Sequence, residues 1–75
     1  MREIYFQGKL IFMTNHAIRQ AKIREIHPDL VYNVLKTGKV SRFGKHLLRF
    51  VGKSIACIGQ DLGHVIIIKT VERIK

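Results

Sequence analysis

The chain has 75 residues, enough for one small domain, and its 47% apolar and 25% charged residues match a folded domain rather than a disordered tail. Fourteen Lys and Arg against five Asp and Glu leave a net charge of +9, which points to a polyanionic partner: nucleic acid, an acidic protein or an anionic membrane surface. One cysteine excludes a disulfide-stapled miniprotein, and no apolar run is longer than that at 65–68, far short of the roughly 20 residues a spanning helix needs.

At the N-terminus, Tyr5-Phe6-Gln7-Gly8 matches the end of an engineered protease site, but Met1-Arg2-Glu3-Ile4 fits the rest of it poorly. Residues 1–8 therefore read either as a tag remnant or as an N-terminal strand, and residues 9–75 as a single domain. Residues 1–13 carry charges and lack both an extended apolar stretch and a small-residue cleavage site, so no signal peptide is expected and the cytoplasm is the expected location. Leu10-Ile11-Phe12-Met13 has the composition of a short strand. Thr14 or Asn15 then offers a side-chain oxygen to the free amides of a helix over about 16–25, with Ala17, Ile18 and Ala21 as its apolar stripe. His16, Gln20 and Arg24 recur every four residues along the edge of that stripe. Pro28 suits the first position of a second helix, Asp29 complements its dipole, and Leu30, Val31, Val34 and Leu35 form one face. Gly38 stops it as a C′ glycine, with Lys36 in the last turn.

The stretch 36–53 admits two patterns. Lys36, Lys39, Arg42, Lys45, Arg49 and Lys53 recur every three or four residues, as do Val40, Phe43, Leu47 and Phe50, which alone would spell a basic amphipathic helix of membrane-surface type. Gly38, Gly44 and Gly52 oppose that, because each costs about 1 kcal/mol relative to alanine inside a helix. They fall where hairpin turns need them, so strands near Val40 and over 46–51 are expected, with a turn at Gly44-Lys45. A strand over 54–58, a turn at Asp61-Leu62-Gly63 and a β-branched strand over 64–71 complete the chain; both of these strands are apolar on two faces, as central strands are. The expected fold is α+β: a short N-terminal strand, two helices, then a three- to four-stranded antiparallel meander.

No acid occurs between Asp29 and Asp61, whereas six cations do, so the charge is concentrated. Lys39, Arg42, Lys45 and Lys53 are the candidate nucleic-acid contacts, since each neutralised phosphate releases counterions. Phe43 and Phe50 are interleaved with them and are candidates for stacking on unpaired bases; the plainer role for each is core packing. His16, His27, His46 and His64 show no metal-ligand spacing, no carboxylates pair at short range, and neither a phosphate-binding loop nor a nucleotide fingerprint is present, so no metal or cofactor is expected. The groups that remain suit metal-free RNA cleavage, in which the 2′-hydroxyl attacks the adjacent phosphorus. His16 and His46 are the candidate acid and base, with Arg24, Arg42, Lys45, Arg49 and Lys69 stabilising the phosphorane. The plainer roles are a helix-start residue for His16 and a surface strand-end residue for His46.

Thr14-Asn15-His16-Ala17, followed by Arg24-Glu25-Ile26, resembles a small prokaryotic domain family whose members read T-x-HA…RGI…V…L…G. Val31, Val34, Leu35 and Gly38 continue that order, as do Arg49-Phe50-Val51-Gly52-Lys53 and Ile67-Ile68-Lys69-Thr70-Val71. Glu25 departs from the pattern, standing where glycine is usual. The family in turn is similar to the RelE-like toxins, and this likeness implies a RelE-like fold, an endoribonuclease toxin acting on RNA without metal, and an acidic antitoxin as partner. His16, Arg24 and Thr70 are the polar positions that carry over. The other classes the charge admits are a non-catalytic nucleic-acid-binding module and an interaction domain for an acidic protein; no membrane contact is expected.

Overall fold

A computed structural model describes residues 3–74. The chain opens with β1 (Ile4–Phe6) and β2 (Lys9–Met13), a hairpin whose two turn residues, Gln7 and Gly8, have φ of 52° and 77°. Two consecutive positive φ values give the turn the twist of the flanking strands. Ile4, Tyr5 and Phe6 thus belong to the sheet. Then come α1 (Asn15–Ile23), α2 (Pro28–Thr37), β3 (Lys39–Phe43), β4 (Leu47–Val51), β5 (Ile55–Asp61) and β6 (Val65–Arg73).

All six strands form one sheet in the order β1-β2-β6-β5-β4-β3; β2 and β6 run parallel, and the other neighbours antiparallel. The expected three- to four-stranded antiparallel sheet, and the RelE-like arrangement implied with it, are therefore corrected to a mixed six-stranded sheet. The reason lies in β6. Ile66 and Ile68 are fully buried, so β6 is central and needs hydrogen-bonding neighbours on both edges. β5 occupies one edge. β2, carried back by the two-helix crossover, fills the other in parallel, and the Thr14 amide extends that ladder to the Ile68 carbonyl at 3.0 Å.

Both helices obey local rules. Thr14 Oγ1 accepts from the Ala17 amide at 3.1 Å, and His27 Nδ1 accepts from the Asp29 amide ahead of Pro28. α1 stops at Ile23, two residues before the expected end, because Glu25 takes φ 55° and leaves the helix. Gly38 ends α2 for a reason other than the left-handed cap. Its φ of −69° and ψ of 165° are extended, but a Cβ there would lie 2.5 Å from the Val34 carbonyl oxygen and 2.8 Å from that of Val51. Close approach of α2 to β4 excludes a side chain.

The helices cover one face of the sheet, the inner one. Leu48, Phe50, Ile55, Cys57, Ile66, Ile68 and Val71 are fully buried there with Ala17, Val31 and Leu35. The sheet curls round them. Phe6 on β1 meets Phe50 on β4 edge-to-face at 5.5 Å between ring centroids. A flat sheet would hold those strands four spacings, about 19 Å, apart. Asp61 on β5 reinforces the curl, accepting from Lys9 of β2 at 2.8 Å and from Arg42 of β3 at 3.1 Å. The result is a half-barrel whose convex outer face carries no helix.

Candidate nucleic-acid interface

Pairing register decides which side chains share that outer face. Residues alternate in direction along a strand, so the partners of inner-face residues fall one position away from the outer set. One transverse row reads Phe12, Ile67, Gln60, Leu47, Phe43 across β2, β6, β5, β4 and β3. The next reads Thr70, Ile58, Arg49, Ser41, and the one after it Glu72, Ala56, Val51, Lys39. Tyr5, Leu10 and Val65 form a shorter row on the other side of the first. Tyr5 is 59% exposed, Phe12 49%, Phe43 41% and Leu47 39%, an unusual set of large apolar side chains to leave in water.

A register shift between Ile58 and Gly59 leaves Lys69 as an extra residue on β6. Ile68 and Val71 both enter the core, so Lys69 and Thr70 between them both turn outward, as bulged residues do. Lys69 Nζ donates to Gln60 Oε1 at 2.7 Å. The outer face therefore holds Arg49 and Lys69 next to the aromatic row, with Lys39 and Glu72, the one acid in these rows, a row further on.

The expected site residues are spread over the outer face, α1, the inner side and the turns. Arg49, Lys69, Thr70 and Lys39 lie on the outer face. His16 sits exposed on the first turn of α1, on the helix side. Arg24 Nη1 donates to the Val71 carbonyl at 3.3 Å, and Gln20 Oε1 accepts from the Val71 amide at 3.2 Å. Past the end of β2 these two side chains take over the hydrogen bonds a neighbouring strand would have made, so Arg24 anchors α1 to β6. Arg42, paired with Leu48 in register, points to the inner side and is held by Asp61. Lys45 lies exposed in the β3–β4 turn and Lys53 in the turn at the other end of β4. His46 is exposed beside Lys45; its carbonyl accepts from the Asp61 amide, and it borders a shallow depression with Gln60, Leu62 and Gly63. Phe43 is available for stacking, whereas Phe50 is fully buried. Phe12 has the exposed role in its place. Sequence alone suggested only a strand there, since its direction depends on the pairing of β2 with β6.

Among the described residues, two groups depart from ordinary acidity. The Lys9 ammonium and the Gly63 amide hold the Asp61 carboxyl well below the usual carboxylate range, outweighing burial, and Arg42 adds to the effect. Burial alone pushes the Cys57 thiol up to about 12, which keeps it protonated and inert, in line with a core role. On the helix side, an apolar cavity of about 440 Å³ opens between β2 and the helices, lined by Ile11, Met13, Ile18, Val31 and Leu35 and bordered by Phe12. Among the described residues, no three His, Cys, Asp or Glu side chains converge to hold a metal ion, and no helix is long and apolar enough to cross a membrane.

No family model, curated protein or solved structure matches the chain.

Proposed function

We propose that this chain is an RNA-binding domain that uses the outer face of its curled sheet. The observation that carries the reading is the register that sets Arg49 and Lys69 on one helix-free face, in the zone next to the row of the exposed Phe12 and Phe43 rings. Cations on one side of an apolar row give phosphates a place to bind while leaving base faces an apolar surface. A net charge of +9 supports the same partner class and speeds encounter with it. Binding is favoured over cleavage because the two candidate acid–base histidines stand on separate elements, His16 on the first turn of α1 and His46 in the β3–β4 turn, while Arg24 and Arg42 are engaged by the Val71 carbonyl and Asp61. An acid–base pair for 2′-hydroxyl attack must reach both sides of one phosphate.

The test is a fluorescence-anisotropy titration of labelled RNA at several salt concentrations in the presence of a chelator. Affinity is expected to fall with salt at a log–log slope of about −2, as for about three neutralised phosphates on a single strand. Arg49→Glu and Lys69→Glu are each expected to weaken binding at least tenfold, and unchanged affinity in both variants would remove the outer face as the site. The same samples run on a gel separate binding from turnover. Intact RNA supports a binding module; 2′,3′-cyclic phosphate ends would make the chain a metal-free ribonuclease, with His16→Ala and His46→Ala as the next variants.

A further inference from the structure

Resting on that reading, we infer that the ligand is a single strand of RNA lying across the β-strands, with bases stacked on Phe12 and Phe43 and phosphates along Arg49 and Lys69. Phe12 and Phe43 end one register row, separated by Ile67, Gln60 and Leu47. They stand four strand spacings apart, about 19 Å along the surface. That span suits about four nucleotides, the lower end of site sizes on sheet platforms of this kind. Arg49 lies two residues further along its strand than Leu47, about 7 Å away, and the bulge brings Lys69 into the same flanking zone. The face thus presents a line for bases and, beside it, a line for phosphates.

A duplex does not fit this geometry. An RNA helix buries its base faces in the stack, and its deep, narrow major groove does not admit side chains, still less a convex face five strands wide. Against a duplex, Ile67, Leu47, Val65 and Leu10 would oppose phosphates and sugars and remain without apolar partners. Unpaired bases supply such partners, each stacked ring adding to affinity without depending on base identity. Gln60 sits at the centre of the row. A lysine ammonium only donates, so Lys69 fixes the amide oxygen of Gln60 and leaves its amide nitrogen free to donate to a base.

The experiment compares a labelled eight-residue uridine oligomer with an RNA hairpin carrying the same number of phosphates, titrated with the full chain. The oligomer is expected to bind at least tenfold more tightly than the hairpin. Phe12→Leu and Phe43→Leu, which keep an apolar side chain at these exposed positions and preserve the fold, are each expected to weaken oligomer binding about tenfold. Equal affinity for oligomer and hairpin, or wild-type oligomer affinity in both leucine variants, would overturn the single-strand inference. If Arg49→Glu still weakened both probes in that case, the basic-face reading would stand alone. Absence of binding to either probe would sink both.

Discussion

Glu25 shows how one backbone angle links the sequence pattern to the structure. Its φ of 55° lies in the left-handed region, where a Cβ crowds the following carbonyl and glycine is most at ease. A glycine would take this angle without that crowding. The residue keeps its place because Arg73 donates to the carbonyls of Arg24 at 3.1 Å and Glu25 at 3.0 Å, closing the end of α1. Glu25→Gly is therefore expected to stabilise the domain by about 1 kcal/mol, read as a higher urea midpoint at unchanged slope. A lower midpoint would mean that the glutamate side chain contributes more than its backbone costs. Arg24 makes the opposite point. Its place in the motif suggested chemistry, while its guanidinium bonds the Val71 carbonyl, a contact 47 residues away in sequence that no local pattern announces.

The two helices and the β3–β4 hairpin were legible because their determinants are local, whereas the β1–β2 hairpin was not read. Pro28, Asp29 and the Leu30, Val31, Val34, Leu35 face suffice to place α2, and Gly44 places the β3–β4 turn. The periodic cations and apolar residues of 36–53 fit a helix equally well by spacing; glycine cost alone favoured strands, and strands are what form. What stayed hidden at this scale was the work done by Gly38. Sequence gives the residue but not the neighbours, and here the neighbours are the Val34 and Val51 carbonyls. Gly38→Ala is expected to cost about 1–3 kcal/mol through overpacking. Gly38→Asn discriminates the causes: asparagine tolerates a left-handed cap, so a loss at least as large as that of alanine in chemical denaturation identifies crowding, and near-wild-type stability would restore the cap.

At the level of the molecule, curl and charge meet at Asp61. Its carboxylate joins β2, β5 and β3 through Lys9 and Arg42, and its acidity is enhanced by those same partners. A group with a depressed folded-state pKa stabilises fully above its unfolded value of about 3.9, and that contribution disappears as pH falls below it. The wild type is thus expected to melt above Asp61→Asn at pH 7, with the gap narrowing between about pH 4 and pH 2. A gap independent of pH over that range would show that the carboxylate charge does not hold the curl. By itself the sequence determined the two helices, the turns at Gly44 and 61–63, the strand segments from β2 onward, the buried Cys57 and the excess of cations, because each follows from residues close in the chain or from composition. The parallel pairing of β2 with β6, the curl that brings Phe6 onto Phe50, and the bulge that turns Lys69 outward on the face of Arg49 were decided only in the tertiary structure. Register is the physical reason: a strand shows one residue in two to each side, and which half faces water depends on the neighbours the whole sheet supplies.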